Sequence, residues 1–284
     1  MTQKLKVKSN DTLLKYLLTS ELSLSNSKIK SLLKHQCIQV NGKITTQFDF
    51  PIKENDEITI EKYNQQYNSQ LEIIYEDAEI VVVNKPEKLL SIATEKNNTQ
   101  TAYRYVSDYL KTSNPNNRVF VLHRLDKDTS GVLMFAKSAH IQKLYQQNWN
   151  HLVVKRNYHA VCEGQIKEKG QITSKLKEDN TTRVYTSKDG KDAITDYKPI
   201  SSNNEFTLLD VEIKTGRKNQ IRVHLSSINH PVVGDTKYDA KTNPFNRLGL
   251  HAYKLVFTHP ITKKVQTFTA TTPKSFSKIT KKTK

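Results

Sequence analysis

The pattern of apolar and polar positions singles out one segment of the chain. Apolar runs at residues 119–122 and 132–135 each predict a short buried strand. A dense polar cluster lies between them at residues 123–130 and is closed by Gly131. Polar groups at the ends of buried strands cost free energy unless they are paired. Residues 121–138 are therefore either a hydrogen-bonded structural corner or a functional site.

Residues 1–62 predict a small module of two helices and several strands. The first helix follows Asn10 or Asp11, either of which can be its N-cap, and the second follows residues 25–27. Asn41-Gly42 predicts a hairpin turn, and residues 55–60 predict a turn and a further strand. The inward positions of the two helices repeat at helical spacing: Leu13, Leu14, Leu17, Leu18, Ile29, Leu32 and Leu33.

Residues 71–284 predict a larger domain, and the polar residues 63–70 predict a linker in front of it. Short strands with regular turns and few long helices indicate an α+β fold built on a long, mainly antiparallel sheet flanked by helices. Apolar patterning places strands at residues 71–77, 79–86, 153–161, 206–214, 250–257 and 265–270, and helices at 100–111, 138–150 and 220–228.

The composition limits the classes of protein that fit. The chain has 284 residues, of which 36% are hydrophobic, so it can build one large core and one small one. No apolar run is long enough to span a membrane, and the N-terminus lacks the apolar segment of a signal peptide. The two cysteines, Cys37 and Cys162, argue against a disulfide framework and against a thiolate zinc site. A reducing cytoplasm is the expected location.

The charge indicates a polyanionic partner. A net charge of +17 favours RNA or another polyanion, although a lysine-rich proteome would also produce lysine-rich surfaces. Arginine is rare beside lysine, so its positions are informative. Four arginines lie within three polar motifs, which indicates a need for the planar guanidinium there: Arg124, Arg156, Arg217 and Arg222.

Those three motifs occur in a recognisable order. His-Arg-Leu-Asp at residues 123–126 is followed by Thr-Ser-Gly at 129–131, then by Lys-x-x-Tyr-x-Ala at 155–160. Thr-Gly-Arg-Lys-Asn-Gln-Ile-Arg-Val-His follows at 215–224. Together they resemble the RluA-type pseudouridine synthases, which isomerise uridine to pseudouridine in RNA. The resemblance covers about residues 71–270 and implies the pseudouridine synthase fold for the larger domain.

The resemblance implies a carboxylate mechanism with no metal and no small-molecule cofactor. Asp126 is expected to be the nucleophile. Burial would raise the pKa of this carboxyl, so a guanidinium must hold it charged. The resemblance gives that part to Arg222, and Arg217 is the second choice.

The target base must leave its stack in structured RNA, which costs a few kcal/mol. By the resemblance, Arg124 fills the gap and Tyr158 lies against the extruded base. An ordinary strand tyrosine is the alternative for Tyr158, and whether it also moves a proton stays open. His123 and Arg217 belong with the RNA-facing residues, and the imidazole of His123 is expected to satisfy a backbone group.

Three further features concern the surroundings of the site: one matches the family pattern and two depart from it. Asn84-Lys85-Pro86 matches the first family motif and is expected to brace the active-site loop. Residues 89–93, Leu-Leu-Ser-Ile-Ala, stand where many members have His-Pro. Asn219 stands where His is commoner, a change that preserves hydrogen bonding.

The N-terminal module resembles the α-L RNA-binding fold of a ribosomal protein. The resemblance implies that lysines of its second helix and hairpin contact phosphates, although the same lysines would suit a solvated helix face. These residues are Lys28, Lys30, Lys34 and Lys43.

Other functions remain open at this point. Asp126, Asp128 and His123 could form a metal trio, as in a phosphodiesterase, although no further ligand set is evident. Ser130 as a hydrolase nucleophile is weaker, because Thr-Ser-Gly-Val is not a nucleophile elbow. A catalytically silent RNA-binding protein is the third class. The expected partner is ribosomal RNA of the large subunit, with transfer RNA second, and the protein is expected to be a monomer with no membrane partner.

Overall fold

A computed structural model describes residues 3–34, 37–60, 71–93 and 101–281. The chain divides into two compact units, Met1–Ser69 and Gln70–Lys284. The linker predicted at residues 63–70 lies outside the described residues. None of the described helices is long and apolar enough to cross a membrane.

In its described residues, the first unit packs two helices on a small sheet. The strands run in the order β1-β6-β3-β4, and β2 pairs with β5 separately. The elements are β1 (Gln3–Lys6), β2 (Asp11–Thr12), α1 (Leu13–Thr19), α2 (Asn26–Lys34), β3 (Ile38–Val40), β4 (Lys43–Ile44), β5 (Pro51–Ile52) and β6 (Glu57–Ile60).

The start of α1 differs from the prediction. Its N-cap is Thr12, without a side-chain cap, and neither Asn10 nor Asp11 takes that place. Asp11 instead pairs with Ile52 in the β2–β5 ladder, so a tertiary strand pairing displaces the local capping preference. Leu13 and Leu17 are fully buried as expected, whereas Leu18 is exposed.

The second helix and the hairpin agree with the sequence. Ser25 Oγ accepts a hydrogen bond from the Lys28 backbone N–H at 3.2 Å, and Ile29, Leu32 and Leu33 are buried. Asn41 and Gly42 both have positive φ, as a tight hairpin turn between β3 and β4 requires.

The second unit is built on one large sheet. Its described strands follow the order β13-β12-β14-β15-β11-β16-β10-β8-β7, with β17 paired to β16 and β9 to β10. The strands are β7 (Glu72–Glu76), β8 (Ile80–Lys85), β9 (Phe120–Val121), β10 (Ser130–Ala136), β11 (Val153–Glu163), β12 (Gly170–Glu178), β13 (Val184–Thr186), β14 (Lys191–Ser202), β15 (Phe206–Ile213), β16 (Leu250–Thr258) and β17 (Val265–Thr269).

Strand β10 runs parallel to β16, and every other described pairing in this sheet is antiparallel. The sheet is thus mixed and mainly antiparallel. With its helices it confirms the predicted α+β class. Those helices are α3 (Ala102–Ser113), α4 (Ala139–Gln147), α5 (Trp149–Leu152), α6 (Gln220–Ser227) and α7 (Lys274–Ile279), together with a short 3₁₀ helix at Thr236–Tyr238.

Both faces of the central strands are covered. Residues of β8 and β10 alternate between two apolar clusters, which explains why their sequences are continuous apolar runs. Helices α3 and α6 pack on one face, and α4 packs on the other. The cluster under α3 and α6 contains Val81, Val83, Leu133 and Phe135, and the cluster under α4 contains Ile80, Val82, Val132 and Met134.

Two predicted elements are shorter in the structure. The apolar run at 119–122 forms only the two-residue strand β9. The helix predicted over 138–150 is capped by Ser138 as expected, but it ends at Gln147 and α5 begins at Trp149. The break lies at Asn148, whose backbone leaves the helical region.

Candidate active site

The three polar motifs line one cavity of about 1000 Å³ in the second unit. The loop between β9 and β10 supplies Arg124 and Asp126, and β11 supplies Arg156 and Tyr158. The turn after β15 and the helix α6 supply further lining residues, among them Arg217 and Arg222. Segments separated by up to about a hundred residues in sequence therefore share one site.

Asp126 and Arg222 form an ion pair in this cavity. Arg222 Nη1 lies 3.6 Å from Asp126 Oδ2, and the two side chains are 12% and 29% exposed. Burial raises the pKa of Asp126, while Arg222 and, more weakly, Lys85 act in the opposite direction. Arg222 thus offsets part of the cost of keeping a carboxylate charged in this partly enclosed place. The predicted pairing of Asp126 with Arg222, in preference to Arg217, is present.

The guanidinium of Arg222 is fixed by a second carboxylate, Asp235. Arg222 Nε donates to Asp235 Oδ2 and Nη2 donates to Oδ1, both at 2.7 Å, and the Asp235 side chain is completely buried. Nη1 also donates to Asn219 Oδ1 at 3.1 Å. The guanidinium carbon lies 5.0 Å from the ring centroid of Tyr238. Asp235 determines which guanidinium edge faces Asp126, because the bidentate bond occupies the other edge.

The turn before α6 is held by side-chain amides. Asn219 precedes the helix with φ of 53°, a left-handed conformation that Asn tolerates. Its Nδ2 donates to the Tyr238 hydroxyl at 3.0 Å. Gln220 Oε1 accepts from Thr215 Oγ1 at 2.8 Å and from the Arg217 backbone N–H at 3.0 Å. These bonds fix the start of α6, and with it the direction of Arg222.

Tyr158 lies on β11 and is almost completely buried. Burial is the main cause that raises the pKa of its hydroxyl to about 12. The group therefore keeps its proton at neutral pH and can act as a hydrogen-bond donor beside the cavity. A base that took a proton from the substrate would need a lower pKa.

The loop that carries Asp126 is fixed at both of its ends. The Met134 backbone N–H donates to His123 Nε2 at 3.1 Å, so the imidazole satisfies a backbone group, as expected. Burial lowers the pKa of His123 to about 3, so the ring is neutral. At the other end, Ser130 Oγ lies 2.8 Å from His251 Nδ1 and accepts from Arg247 Nη2 at 2.7 Å.

The middle of the loop is held by two buried residues, Lys85 and Ser91. Lys85 Nζ donates to the backbone carbonyls of Pro86, Leu89 and Lys127 at 2.9, 2.7 and 3.0 Å. This confirms the bracing part expected for Lys85. Asn84 does not take part, because its Nδ2 donates to Glu72 Oε2 on the neighbouring strand.

Ser91 is a loop contact that sequence reasoning missed. Its Oγ donates to the Leu125 carbonyl at 2.7 Å and accepts from the Leu125 N–H at 3.0 Å. This residue lies in the segment 89–93, which departs from the family pattern. A serine in an apolar run gave no sign of this contact.

Gly131 permits the close approach of two strands. It has φ of +118°, and a Cβ there would lie 2.1 Å from the backbone oxygen of Ala252. Only glycine fits such a position, at the point where β10 meets the parallel strand β16. The glycine of the Thr-Ser-Gly motif is thus a packing requirement directly behind the loop that carries Asp126.

The two hydrolytic alternatives find no support in the geometry. Within the described ranges, no group of three or more His, Cys, Asp or Glu side chains is arranged to hold a metal ion. The Nε2 atom of His123 accepts the backbone bond from Met134, so it does not face Asp126 and Asp128 as a ligand. Ser130 is buried outside the cavity lining.

The remaining predicted RNA-facing residues lie at the surface. Arg124 is exposed at the cavity, and Arg217 is exposed with its Nε donating to the Asp192 carbonyl at 2.9 Å. In the first unit, Lys28, Lys30 and Lys43 are exposed. The side chain of Lys34 lies outside the part of the chain that the structure describes.

Comparisons with known proteins all lead to one family. A family model described as RNA pseudouridylate synthase matches residues 79–227. The chain is 32% identical over 256 residues to an uncharacterized RNA pseudouridine synthase of Bacillus subtilis, with 86% of this chain and 84% of the relative covered. It is 30% identical over 284 residues to ribosomal large subunit pseudouridine synthase D of Buchnera aphidicola, covering 90% of this chain and 89% of the relative. A solved structure of Human RNA Pseudouridylate Synthase Domain Containing 4 matches with a TM-score of 0.60 at 22% identity. The match covers 72% of this chain and 90% of that chain, and it shows a shared fold.

Proposed function

The chain belongs to the RNA pseudouridylate synthase family and is of the RluA type, and on that premise we propose that Asp126 is the nucleophile of its reaction. The observation that carries this proposal is the Asp126–Arg222 pair, 3.6 Å apart in the cavity that the three motifs line. A carboxylate that is partly exposed to a cavity and held charged by a fixed guanidinium is suited to nucleophilic attack.

The proposed reaction is an isomerisation in which no atom is gained or lost. The Asp126 carboxylate bonds to the ribose or to the base, and the N1–C1′ bond breaks. The base turns, C5 bonds to C1′, the carboxylate leaves, and a proton lost from C5 is matched by one gained at N1. Arg222 and Lys85 stabilise the ionised form of Asp126 before the attack.

The residues around the pair would receive an extruded nucleotide. We propose that Arg124, exposed at the cavity, enters the gap left in the RNA stack. Tyr158 would support the flipped base and donate a hydrogen bond from a hydroxyl that stays protonated at neutral pH. His123 and Arg217 would complete the RNA-facing part of the cavity.

For the substrate we propose ribosomal RNA of the large subunit first and transfer RNA second. The name of the Buchnera aphidicola relative supports that order. We further propose that residues 1–62 are an α-L RNA-binding domain and that residues 71–284 are the catalytic domain. In the first, Lys28, Lys30, Lys34 and Lys43 would contact phosphates. We also propose that the protein is a cytoplasmic monomer.

The test is pseudouridine formation by the purified protein on separate transcripts of large-subunit ribosomal RNA, small-subunit ribosomal RNA and transfer RNA. The proposal predicts new pseudouridine at defined positions of the large-subunit transcript, unchanged by EDTA. Modification of transfer RNA alone would overturn the substrate proposal. RNA binding without any pseudouridine would indicate the silent RNA-binding alternative, and activity abolished by EDTA would contradict the metal-independent mechanism.

A further inference from the structure

One wall of the cavity is left without a part in the proposed reaction. It is formed by Gln146 at the end of α4, by Trp149 and Asn150 of α5, and by Arg156 of β11, all of which line the cavity. We call these four residues the α4–α5 wall. Asp126, Tyr158 and Arg222 account for one extruded nucleotide, and none of them belongs to this wall.

The wall adjoins the proposed catalytic residues along two elements. The ring centroid of Trp149 lies 5.8 Å from that of His123, three residues before Asp126 on the same loop. The guanidinium carbon of Arg156 lies 5.9 Å from the Trp149 centroid, and Arg156 precedes Tyr158 by two positions on β11. A nucleotide adjacent to the extruded one in the strand can therefore reach this surface.

The ring and the guanidinium are held in place from behind. Trp149 packs against the apolar cluster beneath α4. Arg156 Nη2 donates to the Lys214 carbonyl at 3.1 Å. A Cβ on Gly216 would lie 2.5 Å from Arg156 Nη1, so the glycine of the Thr-Gly-Arg motif leaves room for this guanidinium. Aromatic rings and arginine planes are the surfaces on which unpaired RNA bases stack.

The two amides of the wall are free to bind a base edge. Gln146 and Asn150 are exposed, and neither side chain has a hydrogen-bond partner among the described residues. Gln142, one turn earlier on α4, differs because its Nε2 donates to the Val121 carbonyl at 2.9 Å. An amide offers one donor group and one acceptor, the combination that reads the hydrogen-bonding edge of a base.

We propose that the α4–α5 wall is a second nucleotide subsite, which stacks and reads the RNA base next to the target uridine. The inference rests on the proposed function and adds a source of sequence selectivity to it. Trp149 and Arg156 would supply stacking to any base. Gln146 and Asn150 would then favour some bases over others.

The test uses synthetic RNA stem-loops that carry the modified uridine with each of the four bases, or an abasic nucleotide, placed on its 5′ and 3′ sides. The readout is kcat/KM for pseudouridine formation on each stem-loop. Wild-type protein should prefer certain neighbouring bases on one side and lose rate on the abasic substrate. Trp149→Leu, which keeps apolar volume, should lower kcat/KM by about 5- to 150-fold, the range for one lost base stack. Trp149→Phe should retain most of it.

The selectivity arm compares substitution of both wall amides with substitution of a neighbouring amide outside the wall. Gln146→Ala combined with Asn150→Ala should equalise the rates on the four neighbouring bases. Gln147→Ala, the matched control, removes an exposed amide that does not line the cavity and should leave the preference unchanged. The abasic substrate already lacks the base that Trp149 would stack on, so Trp149→Leu should not lower kcat/KM on it any further.

The outcomes separate this inference from the proposed function. An unchanged base preference in the Gln146→Ala, Asn150→Ala protein, or an equal loss by Trp149→Leu on normal and abasic RNA, would overturn the second subsite while wild-type activity stands. Failure of wild-type protein to form any pseudouridine would instead overturn the proposed function.

Discussion

The buried carboxylate of Asp235 is the most informative position to perturb, because it tests how Arg222 is aimed. Asp235→Asn keeps the shape of the side chain but removes its charge and places an amide donor against the guanidinium fork. At least one of the two 2.7 Å bonds is then lost. Breaking one partner of a buried pair costs about 3–5 kcal/mol, so a clear drop in the free energy of unfolding is expected.

The same substitution has two opposite effects on Asp126. Asp235 itself raises the pKa of Asp126, but it also holds Arg222, whose larger influence lowers that pKa; release of the guanidinium should therefore move the acid limb of the pH–rate profile to higher pH. A guanidinium that is no longer fixed should lower the plateau rate by about 10²-fold, because misplacement by about 1 Å at a reacting centre costs that much. The assay is single-turnover pseudouridine formation over an acid-to-neutral pH series, with RNA affinity measured in parallel.

Asp239→Asn is the matched control for Asp235→Asn. Asp239 pairs with Arg183 at 3.5 Å at the surface and has a left-handed backbone that Asn tolerates, so a change of at most about 1 kcal/mol is expected. A purely structural part for Asp235 would lower stability without moving the acid limb. An unchanged acid limb in a folded Asp235→Asn protein would refute the reasoning.

Three further predictions concern the loop and its carboxylate. Gly131→Ala should lower the free energy of unfolding in denaturant by about 1–3 kcal/mol or more, because its Cβ would meet Ala252 O at 2.1 Å. Gly42→Ala is the control: its Cβ meets no neighbouring atom, so it should cost less. Equal losses in the two variants would contradict the packing argument. The wild-type rate should fall with decreasing pH through a midpoint above the ordinary aspartate value of 3.8, since burial raises the pKa of Asp126 and the reaction needs the ionised form; a midpoint below that value would contradict it. Lys85→Met should lower both stability and rate, because three backbone carbonyls lose their hydrogen-bond donor. Each buried group left unsatisfied costs about 1–3 kcal/mol. Unchanged thermal unfolding would show that the lysine does not brace the loop.

The sequence predicted the elements and residues whose signal is local. Periodicity located the helices and strands, because burial on one face repeats at helical or strand spacing. The three motifs meet at one cavity because the β9–β10 loop, strand β11 and the start of α6 lie side by side in the fold. The pairing of Asp126 with Arg222 came from the family resemblance, since spacing alone gives no distance between residues almost a hundred positions apart.

The contacts that sequence reasoning missed are long-range and aperiodic. Asp235 and Ser91 lie in irregular segments, where no periodicity marks a side chain as buried. The N-cap assigned to Asn10 or Asp11 was wrong because the β2–β5 pairing is a tertiary contact that overrides local capping. The break at Asn148, which separates Gln146 from Trp149 and Asn150, lies inside a pattern that periodicity alone reads as one helix.

The central claim is that the carboxylate of Asp126 attacks the nucleotide, and Asp126→Asn tests it most directly. Single-turnover incubation of this variant with an RNA that wild-type protein modifies should yield no pseudouridine, although RNA affinity and thermal unfolding stay close to wild type. Pseudouridine formed by Asp126→Asn at a rate comparable with wild type would contradict the account.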